Sequence, residues 1–174
     1  PGQLAYSSTG IGASTQLAAE MLFERVGVKL LYVPYGNSGM ALKDLLAGEV
    51  QLSFIYPTGK ESFIRSGQLK ALAVTSRHRL ALLPEVPTVE ECGYPDFDVS
   101  SWFGMAAPAG TPRDIVLRLN AEFTRILASP ELRSTFASQG LEPVGGTPEQ
   151  FAADIASELR RWTPVVKALG IKLE

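Results

Sequence analysis

Tyr6-Ser7-Ser8-Thr9-Gly10-Ile11-Gly12-Ala13-Ser14-Thr15 is the stretch whose reading decides the fold. Ahead of it, Gln3-Leu4-Ala5-Tyr6 predicts a short strand. Behind it, Ser14 to Val26 predicts a helix, because Leu17, Ala18, Met21, Leu22 and Val26 recur at helical spacing. The loop therefore lies at a strand-to-helix turn, where unpaired backbone N–H groups and the positive end of the helix dipole meet. Such a place suits a carboxylate or a phosphate. Ser7, Ser8, Thr9 and Ser14 add hydroxyls, while Gly10 and Gly12 permit close approach and positive φ. A cap plus a tight turn would draw on the same residue types, but four hydroxyls and two glycines exceed what capping one helix requires.

Two sharper phosphate motifs fail. A dinucleotide fingerprint starting at Gly10 needs a third small residue where Thr15 stands, and an acidic residue about 20 positions on, at a strand end. A Walker loop needs Gly-Lys-Ser/Thr, and Gly59-Lys60 continues with Glu61. The composition also excludes classes. The 174 residues are 45% hydrophobic, enough for one domain or two small lobes, and a net charge of −2 gives no footprint for nucleic acid. The basic cluster Arg77-His78-Arg79 reads as a solvated turn. A single Cys92 allows no intrachain disulfide and no thiolate metal site, and no apolar run approaches the ~20 residues that cross a bilayer.

Outward from the loop, Gly27 stands where a left-handed cap belongs, and Val28 to Val33 predicts a second strand. Asn37-Ser38 then caps a second helix closed by Gly48. Val50 to Phe54 predicts a third strand, Thr58 to Ser66 a third helix closed by Gly67, and Leu69 to Val74 a fourth strand. This alternation is that of a largely parallel sheet with right-handed crossovers, in which ligands lie beyond the carboxyl ends of the strands. Three loops meet that condition: Ser7 to Ala13, Tyr35 to Ser38, and Ile55 to Thr58.

The proline-rich passage from Leu83 to Pro95 breaks the pattern, with at most a short helix from Thr88. Phe97 to Ala107 predicts a long strand that crosses between lobes or is buried on both faces, or else two short strands around Gly104. Beyond it the chain reads as helical. Thr111-Pro112, Ser129-Pro130 and Thr147-Pro148 each place an N-cap hydroxyl before a proline at the first helical position, and the first and last predict capping boxes. Ile115, Val116, Leu119, Phe123 and Ile126 form one apolar stripe; Phe151, Ile155, Leu159, Trp162 and Val166 form another. Pro164 is expected to kink or end the last helix unless packing compensates.

Catalytic chemistry is thin. His78 lies in the Arg-His-Arg turn, away from the three strand-end loops, and no Cys, His and Asp cluster has metal-ligand spacing. Glu20 and Asp44 read as helix-face charges. A pocket rich in hydroxyls and backbone donors but poor in titrating groups fits binding better than catalysis, with no metal or cofactor.

These residues together resemble the receptors of tripartite tricarboxylate transporters, the Bug-type periplasmic solute receptors. The resemblance runs from Leu4 to the end. It is carried by Val33-Pro34-Tyr35, Asp44-Leu45-Leu46-Ala47-Gly48, Leu69-Lys70-Ala71-Leu72-Ala73-Val74-Thr75-Ser76, Pro84-Glu85-Val86-Pro87-Thr88-Val89, Ser100-Ser101-Trp102-Phe103-Gly104 and Glu142-Pro143-Val144-Gly145-Gly146-Thr147-Pro148. It implies an α/β fold of the type II periplasmic-binding-protein class, two lobes closing on a small carboxylate. This chain would then be the later part of such a protein: the second lobe over 1–99, and the crossing strand and helices that complete the first lobe over 100–174. The missing first-lobe element predicts self-association of the chain alone.

The family's Gly-Ser-x-Gly-x-Gly-Thr-Ser loop falls on Ser7, Ser8, Thr9, Gly10, Ile11, Gly12, Ala13 and Ser14, with Ser7 and Ala13 departing from it. With Tyr35, Ser38, Ile55 and Tyr56 from the other two loops, these residues, Ile11 aside, form the expected ligand site. Where relatives often carry Asp then Asn, this chain has Ile55-Tyr56, a departure pointing away from ligand ammonium groups and toward more apolar or aromatic acids. The implied function is capture of a small organic carboxylate in the periplasm and its presentation to a membrane permease. Two other readings stay open: a small α/β enzyme acting on a carboxylate, separable by product formation, and a LysR-like effector domain, which would need an attached DNA-binding helix-turn-helix.

Overall fold

A computed structural model describes residues 4–170. They divide into two compact units, the first running through Ser101 and including the chain from Val165 on, the second being Trp102–Pro164.

In the first unit, β1 (Ala5–Ser7) pairs in parallel with β2 (Leu31–Val33) on one side and β3 (Leu52–Ser53) on the other, giving the order β2-β1-β3. The register sets Ala5, Tyr6 and Ser7 opposite Leu31, Tyr32 and Val33, and Tyr6 and Ser7 opposite Leu52 and Ser53. The flanking strands are shorter than their apolar runs because β1 offers only three residues for pairing. Gln3, expected at the start of this strand, lies outside the described residues.

The helices between the strands end where glycine can turn left-handed. α1 (Ser14–Val26) stops at Gly27, φ 71°, and α2 (Ser38–Ala47) at Gly48, φ 81°. The Asn37 side chain caps α2 by accepting from the Met40 N–H at 2.9 Å. α1 buries Leu17, Ala18, Ala19 and Phe23, and Tyr6, Ala19 and Phe23 form a cluster lined by Leu30, Tyr32, Leu52 and Phe54. The Tyr6 ring meets Phe23 edge-on, with centroids 4.9 Å apart.

The expected third helix forms only over Glu61–Arg65, as α3. The expected fourth strand does not form: Leu69 to Val74 makes a single parallel bridge, Val74 to Thr88. The partner of this segment is the proline-rich passage, which the sequence pattern predicts to be a break. It is core instead, with Leu83, Val86, Thr88 and Val89 buried. Its short helix from Thr88 reduces to one turn, in which the Thr88 N–H donates to the Glu91 carboxylate and the Glu91 N–H donates to the Thr88 hydroxyl. Prolines remove the donors a ladder would use, so side-chain packing holds this stretch.

The long strand expected over Phe97 to Ala107 is also absent. Val99 is clamped by Thr75, whose backbone carbonyl accepts from the Val99 N–H at 2.8 Å and whose hydroxyl donates to the Val99 carbonyl at 2.9 Å. Beyond it residues 100–107 are exposed and join no ladder, because the described residues provide no neighbouring strand.

The second unit is helical, with α4 (Arg113–Leu127), α5 (Pro130–Ser138) and most of α6 (Pro148–Ala168). Thr111 does not cap α4. Its hydroxyl donates to the Pro108 carbonyl, and Pro112 takes the cap position, so the expected capping box is absent there. Ser129 caps α5 through the Leu132 N–H. Thr147 and Gln150 form a reciprocal box at α6, with bonds of 2.8 and 3.1 Å. α6 continues past Pro164 to Ala168. Gly104 is required where it stands, since a Cβ there would lie 2.1 Å from the Phe151 ring, which also meets Trp102 edge-on.

Candidate functional site

Parallel pairing brings the carboxyl ends of β1, β2 and β3 to one edge of the sheet. β1 is central, so the chain crosses from β2 past it to reach β3, and the strand order reverses at β1 and β3. That reversal is where open α/β sheets take ligands. The loop from Ser8 to Ala13 and the segment after β3 meet there. The Ser14, Tyr56 and Ser101 hydroxyls close a triangle, with Ser14 to Ser101 2.6 Å, Tyr56 to Ser101 2.9 Å and Ser14 to Tyr56 3.3 Å.

The N-terminus of α1 carries no side-chain cap. Ala13 occupies the cap position in an extended conformation. Ser14 and Thr15, the first two helical residues, have no acceptor for their N–H groups within the helix. The Thr15 and Gln16 side chains face the other way and hold the loop. Thr15 Oγ1 accepts the Thr9 N–H at 3.1 Å and lies 2.8 Å from the Thr9 hydroxyl; Gln16 Oε1 accepts the Gly12 N–H at 2.7 Å. Gly10 and Gly12, at φ 151° and 74°, adopt the conformations this path demands. The result is a loop satisfied by side chains, ending in a helix terminus whose own donors point outward.

The expected site residues divide accordingly. Ser14 and Tyr56 come together, and Ala13, Gly10 and Gly12 shape the approach. Ser7 and Ser8 are buried with their hydroxyls already bonded. Ser7 donates to Ser53 Oγ at 2.7 Å, while Ser8 donates to the Gly10 carbonyl at 3.1 Å and bonds Tyr32 at 3.0 Å. Their part is to set the loop. The Tyr35 hydroxyl turns to Asp44 Oδ2, at 2.9 Å; partial desolvation and that carboxylate raise its pKa. Ser38 is exposed at the first turn of α2, and Ile55 is half-buried beside Tyr56. The sequence pattern points to neither Ser101 nor Gln16. Ser101 is 87 positions from Ser14, and the Thr75 clamp on Val99 with the buried Phe97 delivers it.

Among the described residues no group of three His, Cys, Asp or Glu side chains could hold a metal ion, and no helix is long and apolar enough to cross a membrane. His78 lies in the turn after Thr75, where the Ser76 hydroxyl donates to its carbonyl. Arg79 pairs with Glu91 at 2.9 Å.

Comparison with known proteins gives the family. The model of the tripartite tricarboxylate transporter family receptor matches residues 1–171. The protein BugT of Bordetella pertussis is 39% identical over 174 residues, all of this chain and 53% of BugT. A solved R. palustris protein with adipate superposes with a TM-score of 0.82 at 32% identity, covering 98% of this chain and 57% of that one. The protein MatC of Rhodopseudomonas palustris, with bound malate, gives 0.71 at 30% identity, covering 95% and 57%. The chain thus spans about half the length of these relatives. Its α/β fold is that of periplasmic solute-binding proteins of this type, in part, and such proteins are receptors rather than enzymes. The chain belongs to the tripartite tricarboxylate transporter receptor family.

Proposed function

We propose that the intact protein captures a small organic carboxylate in the periplasm and delivers it to the membrane permease of a tripartite transporter. The observation that carries this reading is the uncapped N-terminus of α1 beside the Ser14, Tyr56 and Ser101 hydroxyls, in a chain of this family. A carboxylate would accept from the Ser14 and Thr15 N–H groups, aided by the helix dipole. The hydroxyl triangle bears on Ser14's share. Three hydroxyls carry three hydrogens, and a closed ring uses all of them. When Ser14 turns its hydrogen to the ligand, it exchanges a neutral bond to a neighbour for one to an anion, which is about twice as strong. The bound adipate and malate of the two relatives are the class of ligand this arrangement suits.

Calorimetry on the full-length protein with succinate, glutarate and adipate, beside aspartate and glutamate, tests this reading. Ser14→Ala is expected to weaken carboxylate binding by about 1.5–3 kcal/mol, the range for a bond to a charged group. Aspartate and glutamate are expected to bind less tightly than succinate and glutarate, because Ile55 and Tyr56 bring no charge to meet an ammonium, and burying one unpaired is costly. Absence of binding by every acid would overturn the receptor reading. Unchanged affinity in Ser14→Ala would remove that residue from the site.

A further inference from the structure

The Gln16 side chain is buried and does no ordinary helix work. Its Oε1 takes the Gly12 N–H at 2.7 Å. Gly12 is thereby tied to the buried face of α1, which packs on Tyr6 through Ala19 and Phe23. On the other side of the loop, Ser8 is tied to Tyr32. Gln16 and Tyr32 thus anchor the two ends of the glycine turn.

We propose that Gln16 is a positioning residue for ligand capture: its amide holds Gly12 so that the loop enters α1 with the Ser14 and Thr15 N–H groups already aimed outward. The inference rests on the carboxylate reading above. Its physical content is preorganisation. Gly10 and Gly12 are the residues with the widest conformational choice in the loop, so without an anchor they lose the most freedom when a ligand orders them. The Ala13 N–H makes only a 3.3 Å bond to the Gly10 carbonyl, leaving the 2.7 Å bond to Gln16 as the shorter constraint on this turn. Gln16 touches no ligand in this account. It acts through Gly12.

The test uses the full-length protein, with Gln16→Met as a replacement of similar length lacking both hydrogen-bonding groups, and Gln16→Glu as one that keeps an acceptor for Gly12. Amide hydrogen exchange at Gly12, succinate and adipate affinity by calorimetry, and the thermal midpoint are measured together. In Gln16→Met, Gly12 exchange is expected to accelerate at least tenfold. Affinity is expected to fall about tenfold at temperatures where the variant remains fully folded, a loss that a purely structural role would not produce. In Gln16→Glu, Gly12 is expected to keep its protection. Unaltered Gly12 exchange in Gln16→Met, or wild-type affinity despite faster exchange, overturns the proposal. If Gln16→Met fails to fold, loss of Gly12 protection in Gln16→Glu overturns it and retention supports it. If the wild-type protein binds neither acid, the carboxylate reading fails and ligand positioning by Gln16 falls with it; slow Gly12 exchange would then mark a structural tie only.

Discussion

At tens of micromolar the 174-residue chain is expected to sediment as dimers and larger species, with little monomer. The second unit has the surface for it. None of the described residues of α4 or α5 is buried, yet α4 carries Ile115, Leu117, Leu119 and Ile126 at 43–47% exposure. Phe103, Met105, Val144 and Leu159 are exposed further still, at 63–88%. Single exposed apolar residues are ordinary, but an amphipathic helix with most of its apolar stripe open to water is not. Covering the exposed part of each such side chain contributes about 1–2 kcal/mol, since burying one outright is worth ~1.5–3 kcal/mol. A few together offset the entropy of association. The solved relatives are longer than this chain by more than a third of their length, and we propose that in the intact protein polypeptide of that kind covers these stripes. Alone, two copies can cover each other, and the sheet, with β2 and β3 at its edges among the described residues, offers a second route. Sedimentation velocity checks this directly, together with Leu119→Lys, which is expected to raise the monomer fraction. A compact monomer that melts cooperatively and binds a carboxylate tightly would sink both the self-association and the reading of the chain as part of a larger two-lobe protein.

What was legible in the sequence follows the range of the forces involved. Asn37, Gly27, Gly48, Ser129 and the Thr147–Gln150 pair act within one helical turn, and each is where its local signal put it. Thr111 shows the limit of that logic: its hydroxyl had an alternative acceptor at Pro108, three residues back, and took it. Strands are decided by partners. Leu69 to Val74 and Phe97 to Ala107 both have strand-like composition, but neither has a ladder to join, and one pairs instead with prolines that pattern reading sets aside. At the site, the hydroxyl density of the loop pointed to the right turn but not to the right hydroxyls. Ser7 and Ser8 are used internally, whereas Ser101 comes from the far end of the first unit. Gln16 was within reach, since a buried amide four residues after a glycine, on the first turn of a helix, is placed to accept that glycine's N–H.

Tyr6 is where the fold and the site depend on one side chain, and its replacement is expected to have the largest effect on stability. It is fully buried in the middle strand, with rings of Phe23, Tyr32 and Phe54 around it and its hydroxyl on Glu20. Tyr6→Ala removes an aromatic ring from a core that cannot fully collapse around the gap, and is expected to cost about 3–5 kcal/mol. That is a large share of the total stability of a domain. Tyr6→Phe keeps the ring and removes the hydroxyl, leaving the Glu20 carboxylate without that partner, at a cost of about 1–3 kcal/mol. The pH dependence separates the two contributions. Burial, and then the hydrogen bond to Glu20, raise the Tyr6 pKa far above its ordinary value of 10.0. A folded-state pKa raised in this way contributes stability that is fully present below pH 10 and declines above it, because the unfolded chain gives up the phenolic proton there and the folded one retains it. The wild-type protein is therefore expected to lose stability as pH rises past 10, and Tyr6→Phe to lose less over the same interval. Chemical denaturation of the full-length protein at pH 7 and pH 10.5 measures both effects. Equal pH dependence in wild type and Tyr6→Phe would show that the phenol is not held protonated by the core, and a Tyr6→Ala loss below 1 kcal/mol would show that the ring is not the center of the packing around β1.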